Sequence, residues 1–154
     1  MLLERRWIEA HVPQAGSMCL LDEVLDWNAD RIRCRSGSHR LADNPLRAAG
    51  RLGAACALEY AAQAAAVHAS LLADAPQSAP RAGYLASVRD LQLRVLRLDD
   101  VAGNLICEAV RIAADGQGIL YAFTVDREDA PSASGLVSGR LAIALDGEPP
   151  GAPA

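Results

Sequence analysis

Apolar residues run almost without a break from Arg51 to Asp74, RLGAACALEYAAQAAAVHASLLAD, and they do not keep to one stripe. On a helical projection Leu52, Ala55, Cys56, Leu58, Ala62, Val67 and Leu71 touch every side, the pattern of a helix enclosed by other elements. Alanine dominates and proline is missing, so helix propensity is high. At 1.5 Å per residue the run would reach ~36 Å. It is too short, and too interrupted by Glu59, Gln63 and His68, to read as a membrane span. The alanines would let strands approach closely. Glu59 is the anomaly, because an ionised carboxylate in such a run is costly unless paired or protonated. Two readings stand: a thin solvent-facing strip or structural hydrogen bond, or a buried acid with a raised pKa suited to proton transfer near neutrality.

The flanking patterns are shorter. Residues 1–11 suggest a small amphipathic helix with Leu2, Leu3, Trp7 and Ile8 on one side, ended by Pro13. Met18 to Trp27 reads as a strand and Asn28-Ala29-Asp30 as a turn. Arg31 to Ser36 alternates arginines against Ile32 and Cys34, as a half-exposed strand does. Residues 37–50 read as a loop, and it carries His39. After the helix come a loop over 75–83 and a strand over Tyr84–Leu98, with Leu91, Leu93 and Val95 predicted on one buried face. A turn at 99–103, a strand over Asn104–Ala113, a hairpin turn at Asp115-Gly116-Gln117-Gly118 and a strand over Ile119–Arg127 follow. A polar loop leads to a last strand over Leu136–Leu145. One domain over 1–146 and a disordered tail over 147–154 are expected. The architecture is α+β: one long central helix wrapped by a curved antiparallel sheet. Such a sheet leaves an edge strand and part of the helix uncovered, so a homodimer is expected.

Composition narrows the function classes. A chain of 154 residues, 51% hydrophobic and 22% charged, can bury a real core. The net charge of −4 argues against a nucleic-acid partner. All fifteen basic residues are arginine, which excludes lysine chemistry such as a Schiff base. Cys19, Cys34, Cys56 and Cys107 are far apart in sequence and form no zinc-like pair, so no metal and no cofactor is expected. They read as small buried hydrophobes. Residues 1–13 lack a signal-peptide core, and with the cysteines this suggests the cytoplasm.

Three stretches resemble a known family. VPQAGSMCLLDEVLDW is similar to the opening segment of the hotdog-fold 3-hydroxyacyl-acyl-carrier-protein dehydratases, an L-P-H followed by a run ending in L-L-D-x-V. ALEYAAQAAAVH resembles their central-helix pattern E-x-x-A-Q, with the catalytic acid first, and SHRLADNPLRAAGRL stands where they carry a catalytic histidine. GYLASVRDLQL is similar to the segment after the helix. The likeness covers roughly residues 12–95 and is nearest to a divergent bacterial subgroup found with aryl-polyene or fatty-acid gene clusters. The chain departs in having Gln14 for the opening histidine and no G-H-F-P-G loop.

The resemblance implies a hotdog fold and dehydration of a 3-hydroxyacyl thioester on acyl carrier protein. It implies His39 as base and Glu59 as acid, drawn from opposite subunits of a homodimer or of a heterodimer with a hotdog relative. Backbone N–H groups around Gly53, at the helix start, are candidates to hold the thioester carbonyl. Gln63, one helical turn beyond Glu59, can orient it by a hydrogen bond. His11 reads as a surface residue and His68 as a partly exposed helix residue, nine positions beyond Glu59 and out of its reach. Two other functions share the scaffold: a thioesterase using Glu59 to activate water, and a non-catalytic acyl-binding or partner subunit.

Overall fold

The computed structural model describes residues 3–12, 16–73 and 83–145. Strand β1 (Leu3–Glu4) leads into helix α1 (Arg5–His11). Strands β2 (Glu23–Trp27) and β3 (Arg31–Ser36) form a hairpin. The central helix α2 (Ala57–Ala73) is followed by β4 (Gly83–Leu93), β5 (Leu105–Ala114), β6 (Gly118–Arg127) and β7 (Val137–Leu145). All seven strands join one antiparallel sheet in the order β1-β2-β3-β5-β6-β7-β4. The sheet wraps α2, which touches β3, β4, β5, β6 and β7.

The wrapping follows from side-chain size and alternation. Ala57, Ala61, Ala64 and Ala65 are fully buried on α2, so the sheet packs close to its backbone. The strands supply Ile32, Cys34, Leu105, Cys107, Ala109, Tyr121, Phe123, Val125, Leu141 and Ile143 to the same core. Along β3 the alternation is complete, with Ile32, Cys34 and Ser36 buried and Arg31, Arg33 and Arg35 half-exposed. On that outer face Arg33 pairs with Asp26 at 3.1 Å, and Arg35 pairs with Glu23 and with Glu128.

Several local expectations are corrected. The helix does not begin at Arg51. Residues 51–53 are extended and lie against 96–98, with Leu98 N–H donating to Leu52 O at 2.7 Å and Ala54 N–H to Leu96 O at 3.1 Å. A 3-10 turn, Ala54–Cys56, then leads into α2, so the α-helix proper is about 26 Å long at 1.5 Å per residue. The first strand is shorter than the Met18–Trp27 predicted, because residues 16–18 form a 3-10 turn. The 115–118 turn is held by the Asp115 carboxylate, which accepts the N–H groups of Gln117 and Gly118, rather than by positive-φ glycines. Gly118 has another reason to be small: a Cβ there would lie 2.6 Å from Ile143 O.

The largest difference concerns β4. Of the face predicted to be buried, Leu91 and Val95 pack against the core but Leu93 is exposed; β4 sits at the edge of the sheet, where Leu85 and Leu96 are exposed as well. It is irregular at two places, and Asp90 has φ +54°. The expected loop over 75–82 and the tail over 147–154 lie outside the described residues. Among the described residues, no helix is long and apolar enough to cross a membrane.

Candidate functional site

His39 is delivered by a 3-10 turn, Ser38–Arg40, at the end of β3. Its ring is fully buried. Nε2 lies 2.9 Å from Val101 O, and a carbonyl oxygen can only accept, so Nε2 carries the proton. Nδ1 is then the lone-pair nitrogen of the neutral ring, and it has no hydrogen-bond partner. Burial pushes the His39 pKa down, more strongly than the Val101 contact raises it; Arg40 and Arg47 push the same way as burial. The ring is therefore kept neutral near pH 7.

The turn is braced from several directions. Arg47 donates Nε to Leu41 O at 2.8 Å, Nη1 to Gly50 O at 2.8 Å and Nη2 to His39 O at 3.3 Å. Behind the turn lies a fully hydrogen-bonded cluster. Ser36 Oγ and Ser38 Oγ both donate to Leu20 O, at 2.5 and 2.8 Å. Ser38 Oγ is 2.8 Å from Tyr60 OH. Asn44 Nδ2 donates to Ser38 O at 2.9 Å and to Tyr60 OH at 3.0 Å. Burial pushes the Tyr60 phenol up to about 12, so it stays protonated and able to donate.

Glu59 lies in the first turn of α2 and is half-buried, which agrees with the reading of a solvent-facing strip rather than with that of an enclosed acid. Leu58, Ala66, Ala69 and Ser70 of α2 are likewise only partly buried. Gln63 Nε2 donates to Glu59 Oε1 at 3.2 Å. Its shorter bonds go elsewhere, Nε2 to Met18 O at 2.7 Å and Oε1 from Leu20 N–H at 2.9 Å. Gln63 thus ties the chain before β2 to the helix and touches the acid at the same time. Gly53 precedes the 3-10 turn and is exposed. Leu52 is fixed beside it by its N–H bond to Asp99 Oδ1 at 2.8 Å, and Arg97 beside Asp99 holds that carboxyl well below the usual range. The Ala54 N–H is taken by Leu96 O and the Cys56 N–H by Gly53 O, while Gly53 faces Arg97 across a non-hydrogen-bonded antiparallel bridge.

Within one chain neither ring nitrogen of His39 is hydrogen-bonded to the Glu59 carboxylate. His11 is at the surface, stacked on Trp7 with ring centroids 3.8 Å apart. His68 is fully buried rather than partly exposed: it bonds Tyr121 OH at 2.8 Å and Asn28 O at 2.7 Å. Its face of α2 points into β6 and the β2–β3 turn, where a polar side chain is tolerated because both ring nitrogens find partners. Among the described residues no cluster of His, Cys, Asp and Glu could hold a metal ion. Burial raises the Cys34 and Cys107 thiols, which keeps them protonated and unreactive. Sequence reasoning missed the bracing role of Ser38, Asn44 and Tyr60. The available signal was a hydroxyl residue next to each candidate: Ser38 before His39, and Tyr60 after Glu59.

No curated protein matches this sequence. Solved structures do match in fold. The dehydratase heterocomplex ApeI:P from Xenorhabdus doucetiae is 20% identical, with 91% of each chain covered and a TM-score of 0.75. A thioesterase from Pseudomonas aeruginosa is 16% identical over 96% of this chain and 95% of its own, with a TM-score of 0.62. Zebra fish thioesterase superfamily member 2 is 8% identical over 92% and 95%, with a TM-score of 0.63. These neighbours and the helix-in-sheet architecture make the fold a hotdog fold. The model of the ApeP-like family matches residues 6–142, nearly the whole described chain, and the protein belongs to that family of hotdog dehydratases.

Proposed function

We propose that the protein removes water from a 3-hydroxyacyl thioester presented by acyl carrier protein, giving the trans-2-enoyl thioester. The observation that carries this reading is the His39 ring. It is neutral and fixed by Val101 O, and it keeps an unpartnered lone pair on Nδ1. Dehydration needs such a base, and hydrolysis by a carboxylate and water does not.

In this reading His39 Nδ1 takes the proton from the carbon beside the thioester carbonyl. The electron pair left behind forms the double bond as the C–O bond at the next carbon breaks. Glu59, in its acid form, gives the leaving hydroxyl a proton, and water departs. The Gly53 N–H steadies the charge that builds on the carbonyl oxygen. Gln63 steadies the carboxyl through its bond to Oε1. Following the family resemblance, the reading places His39 of one subunit with Glu59 of its partner, either a second copy or a hotdog relative. It also requires that substrate entry open a path to Nδ1, which has no exposed surface in the single chain.

The thioesterase reading draws on one observation of its own: Glu59 is half-open while His39 is enclosed. A single assay separates the two. With one 3-hydroxyacyl thioester as substrate, enoyl product and free thiol are both followed. Dehydration that vanishes in His39→Asn and in Glu59→Gln, by ~10²- to 10⁴-fold, supports the proposal. Thiol release that survives His39→Asn supports hydrolysis instead. If the unmodified protein forms neither product, alone or with a hotdog partner and with either carrier, the acyl-binding or partner-subunit role replaces both.

A further inference from the structure

The residue before His39 is bonded to the residue after Glu59: Ser38 Oγ and Tyr60 OH are 2.8 Å apart, and both side chains are buried. Ser38 Oγ lies within hydrogen-bond distance of Leu20 O at 2.8 Å, of Ser36 Oγ at 2.9 Å and of Tyr60 OH, whose oxygen also accepts from Asn44 Nδ2. Asn44 also holds Ser38 O, and its Oδ1 takes the Leu46 N–H at 2.9 Å. The phenol is thus the one point on α2 to which both ends of the Ser38–Asn44 segment are tied.

We propose that Tyr60 is a positioning residue for His39: its hydroxyl, bonded to Ser38 and Asn44, fixes the His39 turn against α2 and so holds the ring in register with Val101 O. The inference rests on the reading of His39 as the base for its effect on turnover, but not for its effect on the ring. Tyr60 touches neither reacting carbon nor His39 itself in this arrangement. It acts through the turn, and it places the base of one site and the acid of the other on a common rigid post.

The test uses the full-length protein, in whatever assembly it forms, with ¹⁵N-labelled histidine. His39 signals are assigned by their loss in His39→Gln. The unmodified protein should show a single Nε2-protonated tautomer for His39. In Tyr60→Phe the His39 signals should broaden or show both tautomers, while those of His68 stay as they were. Turnover should fall in kcat by about tenfold or more with KM little changed, the usual result of misplacing a catalytic group without loss of binding. Ser38→Ala removes the same bond from the other side and provides the second variant should the phenylalanine protein fold poorly. An unchanged, single-tautomer His39 in a folded variant overturns the proposal. A kcat within twofold of the unmodified enzyme also overturns it. If the unmodified protein shows no enoyl product, the dehydratase reading fails, and the ring signals still decide whether Tyr60 positions His39.

Discussion

His39 donates its Nε2 proton to Val101 O across a sequence separation of 62 residues, and that single bond decides which nitrogen is basic. A neutral imidazole whose Nε2 is committed as a donor has its lone pair on Nδ1. The loop bearing Val101, between β4 and β5, therefore sets the chemistry that the His39 turn can perform. Burial lowers the pKa of the ring below its ordinary value near 6.5.

The first prediction concerns the rate of enoyl formation against pH. Protonation of Nδ1 removes the base, and the folded-state pKa is depressed. The acid limb of kcat/KM should therefore lie below pH 6.5. Replacing Arg47 by Gln removes a positive charge that pushes this pKa down and should move the limb toward higher pH. A limb at or above the ordinary histidine value in the unmodified protein would contradict the assignment of His39 as a buried neutral base.

Much of this was legible in the sequence, and the boundary has physical causes. The six-residue alternation of β3 and the apolar run of α2 report burial directly, so β3 lies where the pattern puts it, and α2 differs mainly in starting at Ala57 instead of Arg51. The exposed state of β4 was not legible, because an alternating pattern looks the same whether its apolar face meets its own core or another chain. The burial of His68 was not legible either. It depends on Tyr121 and Asn28, 53 and 40 residues away, and no local pattern records those partners. Glu59 was singled out correctly as a polar residue in an apolar helix, but its half-open position depends on where the sheet stops.

Gln63 provides a second prediction. Its Oε1 is the partner of the Leu20 N–H, and Leu20 is fully buried. Gln63→Leu would strand that donor, at a cost of about 1–3 kcal/mol. Chemical denaturation should show this loss, while turnover per folded molecule should fall as well, because Glu59 loses its neighbour. Loss of activity with unchanged stability would assign Gln63 to the acid alone.

A third prediction concerns acid stability. His68 is buried and its pKa is lowered by that burial, despite the bond to Asn28 O. The unfolded chain then binds more protons than the folded one between the lowered value and 6.5, so stability rises with pH across that window. The contribution is complete above the unfolded pKa and is lost as pH falls through the folded one. His39 adds a term of the same sign. Thermal midpoints should fall below pH 6.5, and His68→Gln should flatten the fall while lowering the midpoint at pH 7. A variant with the same pH slope as the unmodified protein would exclude His68 as a source of that sensitivity.

The last prediction concerns assembly. Strand β4 has β7 on one side, and its other edge is unpaired among the described residues. It is the longest strand, it stays exposed along most of its length, and with the segment after it presents Leu85, Leu93 and Leu96, the last 93% exposed. Long apolar edges of this kind invite pairing with another strand. The irregularities between Leu85 and Ser87 and between Arg89 and Gln92, with the charges of Arg89 and Asp90, limit which partner can fit. We therefore expect a dimer at micromolar concentration, with an interface on the order of 2,000 Å² in total. Leu93→Arg combined with Leu96→Arg should yield monomers by sedimentation velocity, still folded by circular dichroism. Dehydration should fall with the dimer fraction, since a site split between subunits cannot form in one chain. Adding back a second, Glu59→Gln chain with an intact edge should restore part of the pairing but not the activity of the site that uses its own Glu59. If the unmodified chain alone is monomeric and gains activity on mixing with a hotdog relative, the homodimer is excluded and the pair is a heterodimer. Full activity in a strict monomer would exclude the shared site altogether.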